Sequence, residues 1–227
     1  MIVSIHQPNF FPWIGFFDKI NRSDHFVFLT TSRRSKGDKY LVRTNILNNI
    51  NRQYLSIPLG ANEIPINQLV MPKNNQWKIK ALNIINAAYH GVHFFDEVFS
   101  DVELLLKNDN KYFSDYSINI INYLISKLNI ETVIHIDTDF DKDFGASNQR
   151  NIAICKEIGA EVYLSGNGAT TYNDKNLFIK SSIDLVYQDY LQPSYKQQSI
   201  IFTPGLSIID MLFNCGYDET ERLLKRK

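Results

Sequence analysis

The chain has 227 residues, and its 24 basic and 24 acidic side chains give a formal net charge of zero at pH 7. A neutral chain lacks the positive field with which proteins bind nucleic acid or anionic membranes non-specifically, so nucleic acid is not a predicted partner. Hydrophobic residues make up 44% of the chain, which is enough for a core and excludes a disordered polymer.

Cysteines and apolar stretches narrow the class of protein further. Cys155 and Cys215 are too few for a disulfide framework and have no Cys or His at metal-ligand spacing, so a metal site is not predicted. The first residues show no basic region before a long apolar run, and no apolar stretch approaches the length of a membrane span. We therefore expect a cytoplasmic protein without a membrane span.

Short apolar segments and segments of helical periodicity follow one another along the chain. Strands are predicted at residues 2–5, 25–30, 133–136, 161–164 and 183–187, with a hairpin or two edge strands at 39–47 and 53–59. Helices are predicted at residues 16–20, 74–89, 94–108, 112–128, 147–158 and 208–214, the last of them stopped by Gly216.

The alternation of strands and helices at both ends of the chain favours parallel strands joined by crossover helices. The middle of the chain, at about residues 74–128, is predicted to be helical throughout. These patterns predict an α/β fold, with one domain over residues 1–227 that contains a mostly parallel sheet and a helical insertion at about 74–128.

The segment from residue 6 to residue 19 follows the first strand directly and carries the strongest chemical signal. In a parallel sheet such a loop lies at the carboxyl edge, where ligands bind, and the next helix offers free N–H groups to an anion. His6 is a candidate general base or phosphate ligand, with a hydrogen-bonded structural histidine as the alternative. Pro8 stiffens the loop, and Gly15 permits close approach of the backbone. The aromatic residues, Trp13 among them, either line a pocket or fill the core.

Basic residues cluster in a second segment, at positions 33–39, with Arg43 and Asn45 beyond it. Arginine and lysine grouped on a loop suit a phosphate or diphosphate. A solvated hairpin tip explains the same cluster equally well, so both interpretations stay open.

A turn of small residues follows the predicted strand at 161–164, and such turns present backbone N–H groups to an anion. Upstream, a predicted helix opens with Ser147 and Arg150, which could reach the same edge, although N-capping is the favoured role for Ser147. The candidate residues at and after the turn are Ser165, Gly166, Gly168 and Tyr172.

Several familiar sites are absent or incomplete. No G-x-S-x-G elbow, P-loop or G-x-G-x-x-G fingerprint is present, which disfavours α/β-hydrolases, P-loop enzymes and dinucleotide enzymes. His90 and His93 stand at a metal-like spacing, but Gly91 between them weakens helical presentation. At another predicted strand end, Asp137 and Asp139 are acids that could reach the cleft.

The opening HQPNFFPWIGFFDKI resembles the signature of the WbqC-like protein family. The resemblance continues in FVFL, RTNIL, YLSGNGATTY and PSYKQQ and ends with FTPGLSIIDMLFNCG, so it covers nearly the whole chain. Members are bacterial and are often encoded with O-antigen and other surface-polysaccharide genes, which implies work on an activated sugar. The chain departs from the family pattern at TTSRRSKGDKY, so the resemblance assigns no role to residues 33–39.

A second likeness concerns the first strand, the proline-containing loop and the W-I-G-F at the helix start. These are similar to the first turn of HIGH-type nucleotidyltransferases and pantoate-activating enzymes, which form acyl adenylates. This likeness implies a Rossmann-like sheet of the HUP, or nucleotidyltransferase-like, type. Trp13 and Phe16 stand where the two HIGH histidines would be, so the usual phosphate ligands are missing.

The resemblances lead to the hypothesis of a transferase of lipopolysaccharide O-antigen biosynthesis that moves an acyl or aminoacyl group to the amine of a nucleotide-linked sugar. His6 would be the base, while Gln7 and Asn9 would orient the acyl carbonyl or the sugar hydroxyls. Substrate-binding roles are predicted for Pro8, Trp13, Gly15, Lys19, Arg43, Asn45, Ser147, Arg150, Ser165, Gly166, Gly168 and Tyr172.

Two alternatives stay open at this point. The chain could be a non-catalytic protein that binds a sugar nucleotide or a glycan intermediate, or a nucleotidyltransferase, which would require a divalent metal. ATP, coenzyme A or an aminoacyl-tRNA could supply the activated group, so the cofactor is not assigned. A homodimer is a further open possibility.

Overall fold

The computed structural model describes residues 1–34, 40–60 and 63–225. In chain order the main elements are β1 (Ile2–His6), α1 (Ile14–Asn21), β2 (His25–Phe28), β3 (Arg43–Asn48), β4 (Asn51–Ser56), α2 (Gln76–Tyr89), α3 (Phe95–Lys107), α4 (Phe113–Lys127), β5 (Val133–Ile136), α5 (Ser147–Ile158), β6 (Val162–Ser165), α6 (Lys175–Lys180), β7 (Asp184–Tyr187) and α7 (Ile208–Leu224). The part of the basic segment at residues 35–39 lies outside the described residues.

Five parallel strands form the central sheet in the order β5-β2-β1-β6-β7. The chain builds outward from β1 through β2 to β5 and then returns to the other side of β1 with β6 and β7. This reversal creates a topological switch point between β1 and β6, where ligands bind in open α/β sheets. The predicted α/β class with a mostly parallel, Rossmann-like sheet is confirmed.

The two faces of the sheet bury different apolar clusters because successive side chains of a strand point to opposite faces. Phe26 and Phe28 of β2 belong to the larger cluster, with α1, α2, α3, α4, α7 and the hairpin. Val27 belongs to the smaller cluster, with Val3 and Ile5 of β1 and residues of α5 and α6. The sheet is therefore covered on both faces, as a parallel sheet requires.

The predicted hairpin is present, since β3 and β4 pair antiparallel apart from the main sheet. The three helices α2, α3 and α4 follow one another between β4 and β5, where the helical insertion was predicted. Their apolar faces join the larger cluster, and the single-domain organisation stays a prediction.

The last helix differs from its prediction in length. Gly216 has a φ of 72° and interrupts the helix as expected, but a second helical piece continues to Leu224. The ring of Phe94 packs 2.7 Å from the position that a Cβ on Gly216 would occupy. The helix therefore bends at Gly216 around Phe94 instead of ending there.

Hydroxyl donors hold the loop after β1 in place. Phe11 has a φ of 40°, in the left-handed region, and its carbonyl oxygen accepts hydrogen bonds from Thr44 Oγ1 and Ser207 Oγ, both at 2.8 Å. Ser117 Oγ donates to the carbonyl oxygen of Asn9 at 2.7 Å. The loop is thus tied to the hairpin, to α4 and to the start of α7.

The aromatic residues of this loop divide between core and surface. Phe10 and Phe11 are buried, so they fill the core, whereas Trp13 remains 39% exposed. The core interpretation therefore holds for the two phenylalanines, although Phe10 also borders a cavity described below, and the pocket interpretation applies to the tryptophan.

A buried carboxylate fixes the irregular segment before α7. Asp210 accepts hydrogen bonds from Tyr89 Oη at 2.5 Å, from Tyr195 Oη at 2.6 Å and from Gln197 Nε2 at 3.3 Å. Burial raises the pKa of this carboxyl above its ordinary value. The network anchors residues 189–206, which border the site described below.

We predict that the two hydroxyls on the Phe11 carbonyl act together. Thr44→Val or Ser207→Ala alone leaves one donor and is expected to lower the free energy of unfolding by about 0.5–1.5 kcal/mol. The double variant leaves a buried carbonyl unsatisfied and should lose a further ~1–3 kcal/mol beyond the sum. Urea unfolding of all four proteins measures this coupling, and strictly additive losses would contradict it.

Candidate functional site

Three adjoining cavities open at the carboxyl edge of the sheet, and all of them are lined by His6, the last residue of β1. The hairpin cavity, of about 540 Å³, is lined by His6, Gln7, Asn9, Phe10, Pro12, Trp13, Tyr40, Arg43, Thr44, Asn45 and Gly205. The α5 cavity, of about 430 Å³, is lined by Ile5, His6, Gln7, Leu29, Ser32, Ser147, Asn148, Arg150, Asn151, Tyr163, Tyr172 and Asn173. The α1 cavity, of about 250 Å³, is lined by His6, Trp13, Gly15, Phe16, Lys19, Gly166, Asn167, Gly168, Gln188 and Tyr190.

The imidazole of His6 has a defined tautomer. Its Nδ1 lies 2.9 Å from the carbonyl oxygen of Gln7, and because a carbonyl only accepts, Nδ1 carries the hydrogen and Nε2 the lone pair. Burial lowers the pKa of His6 to about 3, with the positive charge of Lys19 adding to the effect. His6 is therefore neutral at pH 7 and presents an acceptor nitrogen.

Lys19 is a buried amine with no carboxylate partner among the described residues. Its side chain is 3% exposed, its Nζ donates to the carbonyl oxygen of Ile5 at 3.3 Å, and within the described ranges no carboxylate oxygen lies within 4.0 Å of it. The neighbouring Asp18 instead accepts from Gln188 Nε2 at 2.7 Å. Burial lowers the pKa of Lys19 to about 7. An anion in the α1 cavity would supply the missing charge partner.

Trp13 forms a wall between the hairpin and α1 cavities, since it lines both. Its ring lies over Gly15, where an added Cβ would stand 2.3 Å from ring carbons. The ring also packs edge-on against Tyr190, with centroids 5.6 Å apart. Gly15 is therefore needed for the position of the indole, which gives the W-I-G sequence a steric reason.

The glycine turn after β6 borders the α1 cavity, because Gly166 and Gly168 line it together with Lys19, and anion binding there stays a prediction. Ser165 does not line any of the three cavities; it is buried, and its hydroxyl accepts from Asn173 Nδ2 at 3.0 Å. Pro8 is likewise buried in the loop and lines none of them.

The start of α5 corrects one prediction. The N-cap position belongs to Ala146, and no side chain caps the helix, so the capping role favoured for Ser147 is wrong. Ser147 instead has a φ of 54° and lines the α5 cavity. Arg150 lines the same cavity, and its Nε donates to the carbonyl oxygen of Gly145 at 2.5 Å.

Two buried amide oxygens border the α5 cavity without a partner. Asn148 Nδ2 donates to the carbonyl oxygen of Tyr172 at 3.1 Å, which identifies Oδ1 as the free atom of that amide. Asn173 Nδ2 donates to Ser165 Oγ, and neither Oδ1 has a hydrogen-bond partner in the described part of the chain. Buried acceptors without partners are costly, so this cavity suits a ligand rich in donors.

The hairpin cavity contains a second cation. The guanidinium of Arg43 stacks on the ring of Tyr54, 4.3 Å from its centroid, and no carboxylate oxygen of the described residues lies within 4.0 Å of it. Asn45 lines the same cavity, with its Oδ1 buried and without a partner. Gln7 borders both the hairpin and α5 cavities, and its Nε2 donates to Ser32 Oγ at 2.9 Å.

Other candidates have structural contacts. Arg33 and Arg34 donate to the carbonyl oxygens of Glu63 and Gly60, at 3.3 and 2.6 Å, so they join two stretches of chain. Asp137 accepts from the N–H and hydroxyl groups of Thr30 and Thr31, and it therefore fixes the end of β2.

His90 and His93 pack against the rings of Phe95 and Phe94. Among the residues that the structure describes, no group of three or more His, Cys, Asp or Glu side chains is arranged to hold a metal ion.

Sequence reasoning missed several residues that border the cavities, among them four with side-chain polar groups close to the candidate site. Gln188 and Tyr190 follow β7 directly, and the end of that strand was the signal that could have found them. Asn148 and Asn173 flank the predicted helix and turn. Their amide oxygens are buried without a hydrogen-bond partner among the described residues, and the sequence gives no sign of this because it depends on tertiary packing.

A model of the WbqC-like protein family matches residues 7–222, nearly the whole chain. The chain belongs to the WbqC-like family. This WbqC-like protein is also similar to the uncharacterized protein Rv1507c of Mycobacterium tuberculosis (strain ATCC 25618 / H37Rv), with 27% identity over 229 residues that cover 97% of this chain and 96% of that one. Within the described ranges, none of its helices combines the length and apolarity needed to cross a membrane.

We predict that Gly15→Ala displaces Trp13, because the new methyl group would overlap the indole. In a Trp77→Phe background the emission of Trp13 should shift to longer wavelength, and strain should cost about 1–3 kcal/mol of stability. Gly168→Ala is the matched control, since a Cβ there meets nothing within 4 Å. An unchanged emission spectrum for Gly15→Ala would contradict the assigned ring position.

We also predict that Lys19→Met stabilises the ligand-free protein in a pH-dependent way. Below about pH 7 the amine is charged in the folded and unfolded states, so the cost of burying it is fully present. Between about pH 7 and 10.5 the folded state releases the proton first, and the cost disappears. Lys19→Met should therefore gain on the order of 2 kcal/mol at pH 6, and the gain should shrink by pH 10.

Urea unfolding at both pH values tests this expectation. Lys80→Met is the control, because Lys80 is exposed on α2 and should show no such trend. A Lys19→Met protein that is less stable than the parent at pH 6 would show that the fold itself compensates the ammonium.

Proposed function

We propose that this WbqC-like protein binds a nucleotide-linked amino sugar at the switch point and transfers an acyl or aminoacyl group to its amine, as an enzyme of bacterial surface-polysaccharide biosynthesis. The observation that carries the proposal is the buried Lys19 amine, which lacks a carboxylate partner among the residues that the structure describes and borders the α1 cavity beside His6. The proposal includes a cytoplasmic location, where nucleotide-activated sugars are made, and a homodimer stays a prediction.

The first step is anion binding in the α1 cavity. The diphosphate of a nucleotide sugar would be a negatively charged partner for the Lys19 amine. The turn at Gly166 and Gly168 would let a phosphate approach the backbone closely. In a desolvated site this pairing is far stronger than on a surface. The diphosphate would therefore fix one end of the substrate.

The second step places the sugar in the α5 cavity. Asn148 and Asn173 contribute acceptor oxygens for sugar hydroxyls or for the amine, which would satisfy two buried groups at once. Tyr172, whose side chain is 69% exposed, offers a ring against which a sugar face can pack. The two cavities meet at His6, so a sugar joined to a diphosphate would bring its amine to that residue.

The third step is the chemistry at His6. The lone pair on Nε2 accepts the proton that the amine loses as its nitrogen bonds to the acyl carbon. Burial and the charge of Lys19 depress the pKa of His6, and a bound diphosphate offsets the second cause. Substrate binding would thus make His6 a stronger base than it is in the free protein. Gln7 and Asn9, beside it, would orient the acyl carbonyl.

We predict that substitution of Lys19 abolishes substrate binding, whereas substitution of His6 slows the transfer reaction. Nucleotide-linked amino sugars should raise the Tm of the parent protein, by a stabilisation of about 2.7 kcal/mol at a hundredfold excess over Kd. Lys19→Met should abolish that shift, whereas Lys80→Met should keep it. The His6→Ala protein should still bind the sugar nucleotide and should be nearly as stable as the parent, but it should transfer the acyl group about 10²–10⁴-fold more slowly.

Thermal shift and mass spectrometry provide the readouts, with ATP plus amino acids or acyl-coenzyme A as donors. Affinity should weaken as the pH rises above about 7, because Lys19 then loses its proton. Normal turnover by folded His6→Ala would remove the base assignment. Stabilisation by the sugar nucleotide without a mass increase under any donor would favour the non-catalytic binding protein.

A further inference from the structure

We propose that the hairpin cavity is a separate subsite for the second substrate, an acyl group activated on a nucleoside monophosphate, with Arg43 holding the phosphate and Trp13 stacking on the base. This inference rests on the proposed function, since it names the donor of the same transfer. Its starting point is that two basic side chains, Lys19 and Arg43, have no carboxylate partner in the described part of the chain and border two different cavities, which share only Trp13 and His6.

Arg43 is prepared for a phosphate by its place on the hairpin. It opens β3, and the ring of Tyr54 on β4 supports its guanidinium plane at 4.3 Å. Stacking occupies a face of the guanidinium and leaves its N–H edge able to bind two oxygens of one phosphate. A lysine could not do both, because its ammonium has no face to stack.

The same cavity offers surfaces for a planar base. Trp13 and Tyr40 line it with exposed rings, at 39% and 71% of their accessible area. Gly15 and Tyr190 fix the indole of Trp13 from the other side, so that its position is set before a ligand arrives. Stacking of a base on an aromatic side chain contributes about 1–3 kcal/mol.

The volume of the hairpin cavity and the presence of His6 at its border favour one kind of acyl donor. A cavity of about 540 Å³ is in the range for a small ligand, and His6 borders it together with Arg43. In an acyl nucleotide the acyl group is bonded directly to the phosphate, so both can lie in one cavity. In coenzyme A a long arm separates the thioester from the nucleotide, and this arrangement fits less well.

The transfer is balanced without any further reactant. The sugar amine attacks the acyl carbon, a C–N bond forms, and the C–O bond to the phosphate breaks. The electron pair of that bond leaves with the nucleoside monophosphate, where Arg43 stabilises the added charge. The amine proton passes to His6 Nε2 and then to solvent. The products are an N-acylated sugar nucleotide and a nucleoside monophosphate.

Tryptophan fluorescence tests the subsite, because the chain has two tryptophans and the other, Trp77, is buried. A Trp77→Phe protein therefore reports on Trp13 alone. AMP is the probe, titrated beside adenosine, inorganic phosphate and coenzyme A. We expect saturable quenching by AMP, weakened at least tenfold by Arg43→Gln. Arg222→Gln is the control for charge loss, since Arg222 is a surface residue on α7.

Two binding measurements separate this inference from the proposed function. In Arg43→Gln the Tm shift by the sugar nucleotide should remain, and in Lys19→Met the AMP quenching should remain. If AMP leaves Trp13 unchanged while the sugar nucleotide still stabilises the protein, the donor subsite is refuted and the proposed function stands. Quenching by coenzyme A but not by AMP also overturns the inference. AMP binding without any sugar-nucleotide binding would support the subsite and contradict the proposed function.

Discussion

The carbonyl oxygen of Phe11 is the point on which the site depends. It accepts one hydrogen bond from a hydroxyl of the hairpin and another from a hydroxyl at the start of α7, and these segments lie far apart in the chain. These two bonds hold a residue with a left-handed backbone, which costs energy that only the surrounding structure can offset. Because His6 lies before this loop and Trp13 after it, the position of both depends on the same carbonyl. The sequence motif from His6 to Trp13 therefore holds its first and last residues in a fixed relative position.

Electrostatics gives the edge of the sheet its chemical character. Lys19 is buried and His6 is half-buried, and each has a pKa below its ordinary value. An arriving anion changes the balance for both groups at once. Burial that would be a defect in a purely structural protein is typical of a site whose ligand completes it. The buried Oδ1 atoms of Asn148 and Asn173 likewise lack a partner among the described residues, in their case a hydrogen-bond donor, which a ligand would supply.

The fold and the centre of the site were predictable from sequence because they depend on short-range patterns. The apolar run at 2–5, the polar string that ends it and the small residues of the W-I-G segment led directly to His6, Trp13 and Lys19. Other features depend on packing and left no local pattern. The sequence favours Ser147 over Ala146 as the cap, because serine caps helices far better than alanine, and no local pattern signals the positive φ of Ser147 or the absence of a side-chain cap. The short helix α6 and the approach of Tyr190 to Trp13 are similarly set by distant contacts.

The indole of Trp13 is a single partition with two sides. The ring borders both cavities, so a ligand that displaced it from its packing on Gly15 and Tyr190 would change the room available in the other cavity. Occupancy of the two cavities would then be energetically coupled, and thermodynamic reciprocity requires that each occupant alter the affinity of the other by the same factor. For the two substrates of the proposed transfer, the affinity for one would then depend on whether the other is bound, with one tryptophan ring as the communicating part.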